Sequence, residues 1–244
     1  MPNDIYNVVT FNCAHERTAE ILKAVEMEGC ELGSIDFEKL IPMPEDVYRG
    51  PLGRDEMKQY PGERNWYYWS VNNWGTKWNA YGFGELPCKE DALIFNTAWS
   101  AVPQVVAKLS ETYPEVTVDY CWADEDFGSN TGRLQFRNGE IIDAYIPEDQ
   151  SPEAYEFAAA IQDLSLEDFG LALDKDTGRV RYLEEVTPQL SVTGCVRVGK
   201  GGSTLHAGRI SSAQHAQSSG KAVRGRGYST LLAILRGLHK EKGF

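Results

Sequence analysis

The stretch from Ala92 to Trp122 constrains the fold more than any other part of the chain. ALIFNTAW, Ala92 to Trp99, is rich in β-branched and aromatic residues and reads as a strand. Ser100 then suits a helix N-cap and Pro103 the first turn. Val102, Val105, Val106, Leu109 and Tyr113 recur on one helical face until Pro114 stops it. VTVDYCW, Val116 to Trp122, returns to period two with Val116, Val118, Tyr120 and Trp122 on one side. A strand, a helix and a second strand thus follow one another with little between them.

The N-terminal part repeats this order. DIYNVVTF, residues 4 to 11, is strand-like with Ile5, Val9 and Phe11 on one face. Residues 15 to 28 carry Ile21, Leu22 and Val25 on a helical stripe, with Gly29 at the natural stop. SIDFEKL, Ser34 to Leu40, alternates Ile35 and Phe37 with Asp36 and Glu38 and predicts a half-buried strand, ended by Pro42 and Pro44. Two β-α-β units of this kind predict an α+β, ferredoxin-like split β-α-β sandwich, an antiparallel sheet with two helices on one face. The other face would be open for something else to cover.

Between the units, residues 44 to 91 form an irregular excursion with a short helix around residues 64 to 71. Four of the six tryptophans, Trp66, Trp69, Trp74 and Trp78, fall in it beside glycine and asparagine. After the second unit, Asn138-Gly139 predicts a two-residue hairpin turn within residues 132 to 146. Ser151, Pro152 and Glu153 then open a helix with Ala154, Phe157, Ala158 and Ile161 buried. Residues 174 to 183 suggest a turn and one more strand, and residues 229 to 239 a short helix.

Charge divides the chain. Residues 191 to 244 hold nine Lys and Arg against Glu241 alone and stand at +8, so the preceding 190 residues, with 15 of the 24 bases and 35 of the 36 acids, stand at −20. An acidic body of this kind repels polyphosphate backbones. Nucleic acid is therefore expected only at the basic, Gly- and Ser-rich tail, whose composition suits a flexible extension. No run approaches the roughly 20 apolar residues of a membrane span, and MPNDIYNVVTF lacks the features of a signal peptide. A cytoplasmic protein is expected. The five cysteines form no C-x-x-C pair and read as reduced structural thiols.

Four strings carry a further expectation. YNVVTF, IDFEKLIPMPED at 35 to 46, NWGTKWNAYGF at 73 to 83 and FNTAWSAVP at 95 to 103 resemble, in order and spacing, the YubB-type ferredoxin-like domain family grouped with the phage Api-like proteins. The resemblance spans about residues 4 to 146. It implies the split β-α-β fold and the setting of a phage, prophage or plasmid protein in a bacterial cytoplasm. It implies no reaction and no catalytic residues. The expected organisation is a domain over 1–146 with an insertion at 44–91, a helix-strand extension over 147–190, and the tail over 191–244.

Motifs that would carry chemistry are incomplete. GCVRVGKGG, Gly194 to Gly202, lacks the Ser or Thr of a phosphate-binding loop and the helix that should follow. DKDTGRVRYLEE, from Asp174, lacks the sixth-position glycine of a calcium loop. Asp124, Glu125 and Asp126 are neighbours in sequence, which usually diverge and not converge on a metal. The four histidines show no metal spacing, so no cofactor, no metal and no catalytic set are expected. The candidate binding residues are Trp74, Lys77, Trp78 and Asn79, with Trp99 of TAWS. Aromatic rings give contact area at low entropic cost, and Lys and Asn supply directed donors. The competing role, tryptophans folding the excursion onto the sheet, is the commoner fate of large apolar side chains. Lys77 and Asn79 are the residues it explains least.

The function expected from these features is a small binding module working through the Trp-rich insertion. The alternatives are an enzyme or ligand-binding protein for a small polar or nucleotide substrate in a Trp-lined pocket, and a nucleic-acid-binding or DNA-mimicking anti-defence protein.

Overall fold

A computed structural model describes residues 3–174 and 177–183. Strand β1 is Asp4–Asn12, and burial alternates along it at Ile5, Asn7 and Val9. Helix α1, His15–Val25, buries Thr18, Ile21, Leu22 and Val25. The insertion holds α2, Arg54–Gln59, and α3, Trp66–Asn73. Then come β2, Ala92–Ala98, α4, Pro103–Thr112, and β3, Thr117–Asp124. The hairpin β4, Gly132–Arg137, and β5, Glu140–Tyr145, turns at Asn138 and Gly139 with φ of 50° and 79°, the paired left-handed residues that the Asn-Gly dipeptide supplies. Helix α5 is Pro152–Ala160, and β6, Leu171–Leu173, pairs with β7, Val180–Tyr182.

The main sheet runs β2-β1-β3-β4-β5, antiparallel throughout. One face carries Ile5, Phe95, Val118, Tyr120, Leu134 and Phe136, in one core with the apolar stripes of α1 and α4. A polar network crosses that core. Asn7 donates through Nδ2 to Phe95 O at 3.1 Å and Thr97 Oγ1 at 3.0 Å, and its Oδ1 accepts from the Tyr120 hydroxyl at 2.7 Å. The same hydroxyl accepts from Val102 N at 2.8 Å, one residue before α4 begins. The amide that Ser100 would have capped is therefore met from β3, and Val102, not Ser100, is the N-cap residue.

The segment 34–40 departs from the strand its alternation predicts. Ile35 and Phe37 are fully buried as expected, yet Phe37–Lys39 is a turn of 3₁₀ helix. Side chains have taken the backbone donors a strand would use: Asp36 Oδ1 accepts from Glu38 N at 3.0 Å, and Asn79 Oδ1 from Phe37 N at 2.9 Å. The chain also meets the end of α1, where Asp36 N donates to Val25 O at 2.8 Å, so the helix stops at Val25 and not at residue 28. On the free edge of β2, where a second strand of the split unit would lie, Tyr81 from the insertion makes both backbone bonds to Asn96, at 3.1 and 2.8 Å.

The opposite sheet face is not left open. Arg133 pairs with Tyr145 across β4 and β5 on that side, and Phe157 of α5 packs on Tyr145 with ring centroids 5.4 Å apart. Helix α5 lies against β3 and β4, with Ala154, Ala158 and Ala159 buried.

Cys121 of β3 is half-buried, and burial pushes its thiol up to about 11. At pH 8, iodoacetamide is therefore expected to label the exposed Cys88 faster than Cys121, whose thiol is half-buried and less readily ionised. Peptide mapping by mass spectrometry reads the ratio, and equal labelling would show that Cys121 is not sequestered.

Candidate functional site

The aromatic insertion divides into an inner and an outer set. Trp69 and Trp74 are inside, 6% and 4% exposed, and meet edge to face at 5.3 Å. Trp74 also packs on Phe37 at 5.9 Å, and its indole N–H donates to Ile41 O at 2.9 Å. Trp66 donates to Gly50 O at 3.0 Å. These rings hold an irregular segment against the sheet and satisfy carbonyls that have no ladder partner.

Gly75 turns the chain outward. Its φ of 82° lies in the left-handed region, and a Cβ there would stand 2.5 Å from the Gln104 side chain. Thr76 then fixes the new direction. Its buried hydroxyl donates to Ala98 O at 2.9 Å and accepts from Ala98 N at 3.1 Å, pinning the loop beside Trp99. This brings Lys77, Trp78 and Trp99 together. The Lys77 ammonium lies 4.2 Å from the Trp78 ring centroid and 5.2 Å from that of Trp99. Trp78 and Trp99 are 38% and 44% exposed. Lys77 has no carboxylate within ion-pair distance among the described residues.

Asn79 is used differently. Its Oδ1 accepts from Phe37 N and from Ala80 N, both at 2.9 Å, and its Nδ2 donates to Asp36 Oδ1 at 2.7 Å. Of the five candidate residues, Trp74 and Asn79 thus face the fold, and Lys77, Trp78 and Trp99 face solvent as one cluster.

Residues outside the five candidates complete the surroundings. Tyr81 packs edge on to Trp78 at 6.3 Å and donates its hydroxyl to Asp4 Oδ1 at 2.5 Å. Burial first, then the hydrogen bond to Asp4, holds the Tyr81 phenol well above its ordinary value, so it remains a neutral donor. Glu125 stands beside Asp4 through its N–H to Asp4 O at 2.9 Å, and Trp99 N donates to Asn3 O at 2.9 Å. Asp124 is almost fully buried, and its carboxylate accepts from Asn3 Nδ2 at 3.2 Å, Asn130 Nδ2 at 3.0 Å and Asp126 N at 2.9 Å. Burial pushes the Asp124 carboxyl up from its ordinary value. Asp124 and Glu125 stand out in the sequence as adjacent acids at a strand end, whereas Asp4 and Tyr81 carry no such signal.

Trp99 has a φ of 67°, which costs a bulky L-residue about 1 kcal/mol or more. Trp99→Gly is therefore expected to be about 1 kcal/mol more stable than Trp99→Ala, the reverse of the usual glycine penalty. Urea unfolding of the two variants measures the difference, and an advantage for Ala would mean that the backbone is not strained there.

Two concavities among the described residues lie elsewhere. One, of about 350 Å³, is a shallow groove lined by Arg133, Asp143, Ala144, Tyr145 and Phe157, and the other is a small one between Leu32 and Ile94. Neither concavity is lined by Trp74, Lys77, Trp78, Asn79 or Trp99. Among the described residues no group of three His, Cys, Asp or Glu is arranged to hold a metal, and no helix is long and apolar enough to cross a membrane. The phosphate-loop-like GCVRVGKGG, the helix expected over 229–239 and His206, His215 and His239 lie outside the described residues.

An antiparallel sheet backed by α1 and α4 defines an α+β, ferredoxin-like domain. Residues 73–165 match the family model described as the ferredoxin-like domain in Api92-like protein, so the chain carries an Api-like ferredoxin-like domain. The match contains the whole cluster from Trp74 to Trp99 and runs through α5, while β1, which lies between β2 and β3, precedes it. No curated protein and no solved structure matches the chain.

Proposed function

We propose that the chain is a binding module whose working surface is the cluster of Lys77, Trp78 and Trp99. The observation that carries this reading is the exposure of two indoles, one on a strained backbone, around a lysine with no acidic partner among the described residues. Large apolar rings left half in water, beside others fully used by the fold, are what an interface retains for its partner. Strain held in place by surrounding structure points the same way, because strained backbone clusters at sites where chains bind or react. Trp74 and Asn79 serve this surface indirectly, by fixing the loop that presents it.

The resemblance to phage Api-like proteins supports the setting, a mobile-element protein acting in a bacterial cytoplasm. The test is site-specific photocrosslinking in cells. A photoreactive amino acid at Trp78 is expected to capture a discrete partner that the same group at Met57, another exposed apolar position, does not. Identical or empty capture from both positions would remove the surface from consideration.

A further inference from the structure

The chemistry of the cluster indicates what it takes. Trp78 and Trp99 present their ring faces to a cation, and the cation now there is the chain's own Lys77. Ring faces attract ammonium and guanidinium groups through the aromatic quadrupole, most strongly for Trp. Tyr81 closes the side of Trp78, and Asp4, with Glu125 beside it, lies behind Tyr81. Two indoles, a phenol and adjoining carboxylates make a cation-accepting surface. The wider field has the same sign, since residues 1 to 190 stand at −20. Such a field draws in basic partners and repels polyanions.

Resting on the binding reading above, we propose that the Trp78–Trp99 cluster receives a lysine or arginine side chain from a basic segment of a partner protein, in the place that Lys77 fills in the free chain. Lys77 then acts as an internal competitor. It occupies the two ring faces until a cation that brings further contacts displaces it. Asp4 and Glu125, behind Tyr81, add to the attraction for an incoming positive charge.

Three probes test this on the full chain by isothermal titration at low and physiological salt: a short peptide alternating Arg, Lys and Ser, the same peptide with Glu in place of the basic residues, and an oligodeoxythymidine. The variants are Trp78→Ala, Trp99→Gly and Lys77→Gln, each checked for an unchanged unfolding midpoint. The basic peptide is expected to bind, more weakly as salt rises. Either tryptophan substitution should weaken it about tenfold or more. Lys77→Gln should strengthen it about two- to fivefold, because the competing cation is gone. Binding of the Glu peptide or the oligonucleotide at the two tryptophans, lost in Lys77→Gln, would overturn the choice of partner while leaving the binding surface in place. Basic-peptide binding that ignores Trp78→Ala and Trp99→Gly, or no binding by any probe, would overturn the proposal itself.

Discussion

Trp74→Ala is expected to lower the unfolding free energy by about 3–5 kcal/mol, the range for removing a large aromatic ring from a packed core. The ring is 4% exposed and sits edge to face with both Phe37 and Trp69. Its removal opens a cavity between the insertion and the sheet and leaves Ile41 O without the indole donor it has at 2.9 Å. Trp74→Phe should recover most of the packing but not the hydrogen bond, and so fall between wild type and Ala. Urea unfolding followed by circular dichroism measures the series. A cost below about 1 kcal/mol for Ala would be in the range of surface substitutions and would place Trp74 outside the core.

Asn79 gives the second large effect. One side chain accepts two backbone N–H groups and donates to a carboxylate, so Asn79→Ala leaves Phe37 N, Ala80 N and Asp36 without those partners. At about 1 kcal/mol per lost hydrogen bond, and more where the orphaned donor is buried, the expected cost is about 2–4 kcal/mol. Asn79→Asp separates the two halves of the role. The carboxylate still accepts from both amides but meets the Asp36 carboxylate where an amide N–H stood, 2.7 Å away. Like charges at this distance disfavour joint ionisation. The Asp variant should therefore bind one more proton when folded than when unfolded over the acid range, so its deficit against wild type shrinks as pH falls toward about 4 and widens toward neutrality. A deficit constant with pH would mean that the two groups do not face each other.

These two residues also show where sequence reading stops. Strands β2 and β3 and helix α4 were legible because their apolar periods coincide with burial: Leu93, Phe95, Val105, Leu109, Val118 and Tyr120 are all fully buried. Segment 34–40 was legible only in part. Alternation reports which side chains are inside, and Ile35 and Phe37 are, but it does not say whether backbone groups find a neighbouring strand or a side chain. Here Asp36 and Asn79 took those groups, and Asn79 lies 42 residues from Phe37. In α5, the small apolar stripe of Ala154 and Ala158 announced burial without saying against which face of the sheet.

The candidate surface was legible as a region and not as a set. Trp74 and Trp78 belong to one string of similar residues, and their opposite fates follow from the reversal at Gly75 and the anchor at Thr76, which is bonded to Ala98. Nothing local in the string distinguishes them. Lys77 stood out because no packing role suits an ammonium, and the structure gives it two ring faces. Asn79 stood out for the same reason, and hydrogen bonding supplies its role. Tyr81 looked like one more aromatic, yet it joins the edge of β2 to Asp4.

The division between rings that hold the fold and rings that meet a partner is tested most directly by the Trp78→Ala, Trp99→Gly double variant, its photocrosslinking group moved to Tyr81 and compared with wild type carrying the same group. The expected result is an unfolding midpoint within a few degrees of wild type, as for surface substitutions, with the partner band lost. A folded double variant that captures the same partner as strongly as wild type would contradict it.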